Sequence, residues 1–264
     1  MKANYHTHTP RCQHAAGTEE EYVQAAIRAG FDSLGFADHT PWPYTNGYHS
    51  RMRMDVSELD SYLTCVQRAA DAHRGEIRVH VGLEAEYYPR YADHLRRMRD
   101  RGIGYYLLGQ HSIECDEDPD PLWSAAACEA DEMVLRFADV LTEGMRTGLF
   151  AYVAHPDIYL RRRTAGRFSK ACERAADMIA QCAVEEDIPL EYNLLGLRYQ
   201  HEGEIGGYPN PDFWRYVSRY PVKTILGVDA HDPRQLAASD LWEEGRRALE
   251  ALGFTILDRL PMDD

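Results

Sequence analysis

Short apolar runs alternate with helical stretches along the whole chain, and this alternation restricts the fold more than any other feature of the sequence. It predicts strands over residues 3–6, 33–36, 77–83, 105–108, 151–154, 190–192 and 222–227, with one further strand over 254–257. Between them, Thr18 and Glu21 have capping-box spacing ahead of a helix that Gly30 can end. Further helices are predicted over 55–73, 91–101, 123–146 and 169–186, a short one from Pro211, and a last one over 241–252. Seven or eight strands joined by helical crossovers favour a closed α/β barrel, because an open sheet of that width is unusual.

At 264 residues the chain is long enough for one barrel or for two smaller domains. No internal repeat, low-complexity tract or Gly/Ser linker divides it, so residues 1–264 are read as one domain. No apolar run reaches the roughly 18 residues of a membrane span, and Met1 and Lys2 lead directly into polar sequence, so a soluble protein that is not exported is expected. A net charge of −14 argues against a nucleic-acid partner, and an anionic substrate would need positive charge supplied locally. The six cysteines form no C-x-x-C pair and are read as reduced thiols in a cytoplasm, a bridge between Cys172 and Cys182 being the alternative. Cys12, between two histidines, is the one thiol placed near any chemistry.

The ionisable residues fall at the strand ends. His6 and His8 end the first strand, His39 the second, Glu84 the third, His111 the fourth and His155 the fifth, while Asp229 and His231 follow the seventh. In a barrel those ends converge on one mouth, so residues remote in sequence become neighbours. His6-x-His8 and Asp229-x-His231 each put two side chains on one face, since alternate strand residues point the same way. Either pair alone is a weak signal; their recurrence around one rim is a specific one. Imidazole with carboxylate suits zinc, iron, manganese or cobalt, and a carboxylate can bridge two ions where a histidine cannot.

Other residues have plainer readings. His49, His73, His80, His94 and His201 are taken as surface or core histidines, and Glu86 is expected to face away from the rim or to support it from behind. Long connections over 39–54, 112–122, 156–168 and 193–210 carry Trp42, Tyr44, Tyr48, Arg161, Arg162, Arg163 and Arg198, residue types that line anion pockets. The arginine run is also the composition of a solvated loop. Walker, G-x-S-x-G and G-x-G-x-x-G motifs are absent, which removes support for kinase, α/β-hydrolase and Rossmann readings.

Six stretches together resemble the PHP (polymerase and histidinol phosphatase) metallophosphoesterases, the histidinol-phosphatase branch in particular. They are His6-Thr7-His8-Thr9 with His14, Phe36-Ala37-Asp38-His39, Gly82-Leu83-Glu84, Gly109-Gln110-His111, Ala154-His155-Pro156-Asp157 and Gly227-Val228-Asp229-Ala230-His231, in the family's order. The resemblance implies a distorted (β/α)7 TIM-like barrel that binds three divalent metal ions, Zn, Fe or Mn. It assigns His6, His8, Glu84 and Asp229 to the first ion, His14, His39 and His231 to the second, and Glu84, His111 and His155 to the third, with Glu84 bridging. The segment from Glu191 to Arg198 resembles the branch in which an arginine after this strand meets the substrate phosphate. Arg161 is the expected second contact, with Arg162 as its alternative.

The implied activity is phosphate monoester hydrolysis, most specifically of L-histidinol phosphate in histidine biosynthesis. Paired ions lower the pKa of a shared water and provide hydroxide for attack on phosphorus, Arg161 and Arg198 bind the phosphoryl group, and Asp229 or His231 protonates the leaving alkoxide. The partners expected are a small phosphoester and inorganic phosphate, without nucleic acid or membrane. The alternatives are a phosphatase for a nucleotide or sugar phosphate and a metal-binding PHP module without catalysis.

Overall fold

The computed structural model describes residues 2–119, 121–124, 128–163, 168–203 and 207–263. Its frame is one sheet of eight parallel strands in sequence order: β1 (Ala3–Asn4), β2 (Ser33–His39), β3 (Arg78–Ala85), β4 (Tyr105–Leu108), β5 (Tyr152–Val153), β6 (Leu190–Asn193), β7 (Lys223–Gly227) and β8 (Thr255–Leu257). All eight predicted strands are found. Strands β2, β4 and β6 are buried along their whole length, as parallel strands covered on both faces must be.

The helices are α1 (Glu19–Arg28), α2 (Leu59–Ala72), α3 (Ala92–Asp100), α4 (Asp131–Met145), α5 (Lys170–Glu185), α6 (Leu194–His201), α7 (Pro211–Val217) and α8 (Ser239–Ala251). The capping box predicted at Thr18 and Glu21 is present, and Gly30 takes φ +74° just beyond α1. One reading is narrowed and one corrected. The long helix expected to fill much of 123–146 runs over Asp131–Met145, behind an extended Ala130; Ser124 is also helical, and residues 125–127 lie outside the described residues. The connection expected over 193–210 contains α6. Its start, Leu194 to Leu197, is buried all round, so no 3.6-residue alternation marks it in the sequence. The cap is Asn193, which accepts the Gly196 N–H at 2.9 Å while ending β6.

The apolar residues form two bodies. The larger packs between sheet and helices; the smaller unites Tyr5, Ala37, Tyr105, Leu107, Tyr152 and Ile225 from the inner face. Tyr105 fills the space that Gly35 and Gly82 leave open, for a Cβ on either would come within 2.4 Å of its ring or hydroxyl. Its hydroxyl donates to the carbonyls of Tyr5 and Phe36 at 2.7 and 3.0 Å. The sheet is therefore curled around a packed interior, and the strand ends above that interior carry the polar side chains.

The sheet's first and seventh strands also meet beyond their regular ends. Thr7 and Ala230 form a parallel bridge, with His8 N–H to Ala230 O at 2.8 Å and Ala230 N–H to His6 O at 3.1 Å. On the other side, Ala37 N–H donates to Thr7 O at 2.8 Å. Residues 6–8 thus lie between β2 and the continuation of β7.

All six cysteines are free, including Cys172 and Cys182. Burial pushes the Cys12, Cys115 and Cys128 thiols up to about 12, and only Cys65 is not fully buried. At pH 8 the native protein is expected to release one equivalent of thionitrobenzoate from Ellman's reagent quickly, from Cys65, and six after denaturation; three or more fast equivalents in the native state would contradict this packing. Among the described residues no helix is long and apolar enough to cross a membrane.

Candidate metal centre

The rim is built from consecutive strand ends. His6 and His8 continue β1; a short 3-10 turn at Pro10–Cys12, capped by Thr9, and a left-handed Gln13 at φ 68° then bring His14 back over the rim. His39 ends β2 directly opposite Glu84 in the β2–β3 register. His111, His155 and Asp229 follow β4, β5 and β7. His155 and Asp229 hold φ of 29° and 52°, conformations that side-chain-bearing residues seldom adopt and that structures retain where a site requires them.

Glu84 is the hub. Its Oε2 faces His39 Nδ1 at 3.1 Å and the Nε2 atoms of His6 and His8 at 3.5 Å each. Its Oε1 faces His155 Nε2 at 2.8 Å and His111 Nε2 at 3.4 Å. Asp229 Oδ1 lies 3.4 Å from His6 Nε2, 3.2 Å from His8 Nε2 and 3.4 Å from His231 Nδ1. The Nε2 atoms of His14 and His231 are 3.1 Å apart. All nine rim residues expected from the sequence therefore meet at one mouth. The groups His6/His8/Asp229 and His14/His39/His231 each bring three donor atoms within 4.8 Å of one another, as do His6/Glu84/His155 and His8/His39/Glu84.

Buried polar atoms normally have partners. Here His6 Nε2, both ring nitrogens of His8, His39 Nδ1, Glu84 Oε2 and Asp229 Oδ1 are buried with none that meets hydrogen-bond geometry, and all belong to this cluster. Nitrogen and carboxylate donors orphaned together are the chemistry of a divalent transition-metal site, so the residues present fit such ions.

A ring of acceptors behind the imidazoles decides which nitrogen points inward. Glu191 Oε1 lies 2.8 Å from His6 Nδ1, and its Oε2 accepts from His155 N–H at 3.0 Å and Asn193 Nδ2 at 2.9 Å. Asn193 also donates to Asp229 Oδ2 at 3.1 Å. The Nδ1 atoms of His14, His231 and His111 rest on Cys12 O at 2.6 Å, Asp229 O at 3.0 Å and Glu86 Oε1 at 3.2 Å. In each case Nε2 is left facing forward, the arrangement that orients a metal-binding histidine. Asp38 accepts from the Thr9 hydroxyl, from Thr9 N–H and from His39 N–H, and its Oδ1 lies 3.6 Å from His8 Nδ1. Sequence reasoning gave no role to Glu191, Asn193 or Asp38. Glu191-x-Asn193 carries the same alternation as His6-x-His8 and was the available signal. Glu86 supports the rim from behind, because residues two apart on a strand share a face.

Burial opposes charge on Glu84, Asp229, His6, His8, His39 and His231, and their mutual attraction overrides it at the first four. Glu84 and Asp229 are held well below the usual carboxylate range by the histidines around them. Those carboxylates raise His8 to about 9 and His6 well above its ordinary value despite burial, whereas burial and the neighbouring His8 charge lower His39 and His231 to about 3. The raised His8 stabilises the metal-free chain fully below the ordinary pKa of 6.5, and that contribution is lost as pH rises through about 9. A metal ion bound at His8 would have to displace the same proton, so its binding is expected to strengthen over the same interval. The gap in melting temperature between zinc-loaded and chelator-treated protein is therefore expected to widen from pH 6.5 to 9; a constant or narrowing gap would contradict this coupling.

The arginines divide. The Arg161 guanidinium lies over the rings of Tyr199 and Tyr208 at 4.8 and 5.8 Å, and Tyr208 packs edge-on against His155 at 5.8 Å. The Arg198 guanidinium, in the last turn of α6, makes no hydrogen bond or ion pair among the described residues. Arg163 is tied to Asp131 and to the carbonyls of Cys128 and Glu129, and Arg162 is exposed. Away from the rim, His73 and His201 pair with surface glutamates and His94 bonds the Pro41 carbonyl, as their plainer reading expects.

A model described as PHP domain matches residues 4–194. A Deinococcus radiodurans protein named "Probable histidinol-phosphatase" is 30% identical over 234 residues, covering 88% of this chain and 86% of its own. The Bacillus subtilis histidinol-phosphatase is 24% identical over 260 residues, covering 88% and 94%. The crystal structure of a Lactococcus lactis histidinol phosphate phosphatase, complexed with zinc, L-histidinol and phosphate, superposes with a TM-score of 0.73 at 15% identity over 98% of both chains.

Proposed function

The chain belongs to the PHP domain family, and from that premise we propose that it is a metal-dependent phosphomonoesterase that hydrolyses L-histidinol phosphate. The observation that carries the reading is the Glu84 carboxylate, whose two oxygens face five imidazoles among orphaned donor atoms. The substrate rests on the named histidinol-phosphatases that share most of this chain's length.

His6, His8, Glu84 and Asp229 would hold one ion, His14, His39 and His231 a second, and Glu84, His111 and His155 a third. Such ions supply Lewis acidity, polarising a phosphate and easing the deprotonation of water. Glu84 has an oxygen toward each half of the rim, which supports its role as the bridging residue. Arg161 and Arg198 bring positive charge to the phosphate in an otherwise acidic protein, through charge-assisted bonds. The faces of Tyr199 and Tyr208 hold the Arg161 guanidinium in orientation. Asp229 or His231 passes a proton to the leaving alkoxide.

Residues 1–264 act as one unit, since Asp229 and His231 come from beyond the matched stretch yet share the rim with His6 and His8. The Thr7–Ala230 bridge supports a distorted (β/α)7 barrel closed between the first and seventh strands, with β8 flanking it. Six free thiols support a cytoplasmic setting.

The test is steady-state kinetics on a panel of histidinol phosphate, nucleoside monophosphates, sugar phosphates and an aryl phosphate, before and after chelation. A preference in kcat/KM for histidinol phosphate that chelation abolishes is expected. Preference for a nucleotide or sugar phosphate would overturn the substrate, and bound metal without turnover would favour a binding module.

A further inference from the structure

Arg53 is fully buried, which is rare for a guanidinium. It grips Glu86 with a two-point fork, Nη1 to Oε2 at 3.1 Å and Nη2 to Oε1 at 3.0 Å, and donates through Nε to Asp116 Oδ2 at 3.1 Å. A further bond runs from Nη1 to the Thr40 carbonyl at 3.1 Å, and Thr40 in turn donates its N–H and hydroxyl to Glu84 O at 2.8 and 2.9 Å. Glu86 is completed by Trp42 Nε1 at 3.2 Å and by His111 Nδ1 at 3.2 Å.

We propose that Arg53 is a positioning residue for the metal centre: through Glu86 it fixes the His111 imidazole with Nδ1 as donor and Nε2 turned toward Glu84. The inference rests on the metal reading above and goes further by assigning a role to residues outside the rim.

Two arguments carry it. The first is geometric. Glu86 Oε1 is shared between Arg53 and His111, so the fork that sets the carboxylate plane also sets the direction from which the imidazole is held. Without the fork, Glu86 could rotate and release His111, which is the most exposed imidazole in contact with Glu84. The second argument is one of charge. One guanidinium faces two buried carboxylates, Glu86 and Asp116, which leaves an excess negative charge just behind His111. Buried charge of that kind is costly unless compensated, and a cation held in front of His111 compensates it.

The test compares wild type with Glu86→Gln and Arg53→Lys, reading metal content per chain after equilibration with a graded chelator, together with kcat and KM. Glu86→Gln preserves shape but loses the charge; Arg53→Lys preserves the charge but loses the fork. Glu86→Gln is expected to weaken retention of the most labile ion by ~10- to 100-fold and to lower kcat with KM near wild type, with Arg53→Lys intermediate. A purely structural role would lower the melting temperature of metal-stripped protein and leave metal retention and kcat at wild-type values; that result for Glu86→Gln overturns the inference and leaves the phosphatase reading intact. Wild-type retention by Arg53→Lys overturns the part assigned to Arg53. A wild-type protein that retains no metal overturns both readings together.

Discussion

Exchange of Glu84 for glutamine is expected to cut kcat/KM by roughly 10³-fold or more, a loss of at least about 4 kcal/mol of transition-state stabilisation. The side chain changes by one atom, so packing is almost conserved. The chemistry is not. Glu84 places oxygens 2.8–3.5 Å from five imidazole nitrogens, and a glutamine would turn an N–H₂ donor toward the two that face Oε1 or the three that face Oε2. It could neutralise no cation and could bridge none. Metal analysis should therefore show fewer ions per chain, with the circular dichroism spectrum retained. Activity within tenfold of wild type would show that this carboxylate is not the hub its position indicates.

The second large effect comes from a residue with no functional group. A Cβ at Gly227 would sit 1.7 Å from Glu191 Oε1, the oxygen that holds His6 Nδ1 at 2.8 Å. Gly227 has an ordinary strand conformation, so Gly227→Ala meets no backbone penalty; the whole cost is steric and falls on Glu191. Glu191 is buried and bonded to His6, Asn193 and the His155 N–H, so it cannot move without releasing them. Gly227→Ala is expected to lower stability by about 1–3 kcal/mol, as overpacking does, and to reduce activity by ~10- to 100-fold through misdirected ligands. Shortening the acid in Gly227→Ala/Glu191→Asp should recover part of the stability, because the clash is relieved, without recovering activity, because aspartate falls short of His6. Denaturant melts and kinetics on Gly227→Ala, Glu191→Asp and the double variant, with wild type, form the cycle that checks this. Unchanged kinetics in Gly227→Ala would mean that His6 is held by something other than Glu191.

The strands were legible because each is a short apolar run between turn signals, and the rim was legible because six of the eight strands end in, or lead into, a histidine or a carboxylate. The convergence of His6 with Asp229 followed from parallel topology alone. Three things were not legible. Helix α6 begins as an apolar block with no alternating face, and its cap, Asn193, belongs to the preceding strand. Glu191 and Asp38 were concealed because a carboxylate that orients an imidazole from behind has no characteristic spacing from it; Glu191 reaches His6 across 185 residues. Arg53 was concealed most completely. An arginine in a polar loop has the composition of solvent-facing sequence, and its burial depends on Glu86 and Asp116 arriving from two other segments. The triple arginine was ambiguous for the same reason: only the structure separates Arg161, stacked beside the His155 side of the rim, from Arg163, spent on Asp131.

The meeting of the segments after β1 and β7 has a consequence for biosynthesis. Val228 N–H is bonded to Asn4 Oδ1 across 224 residues, and the Thr7–Ala230 bridge spans a similar separation. The other neighbours in the sheet are consecutive strands that can pair as they leave the ribosome; this contact instead makes the segment after β1 wait for β7, more than 200 residues later. A nascent or prematurely terminated polypeptide carries His6 and His8 without the Asp229 that completes their cage. The cluster around His6 and His8 is thus complete only once β7 and the segment that follows it have been made, and a fragment ending before β7 is expected to hold zinc more weakly than the 264-residue chain in a chelator competition.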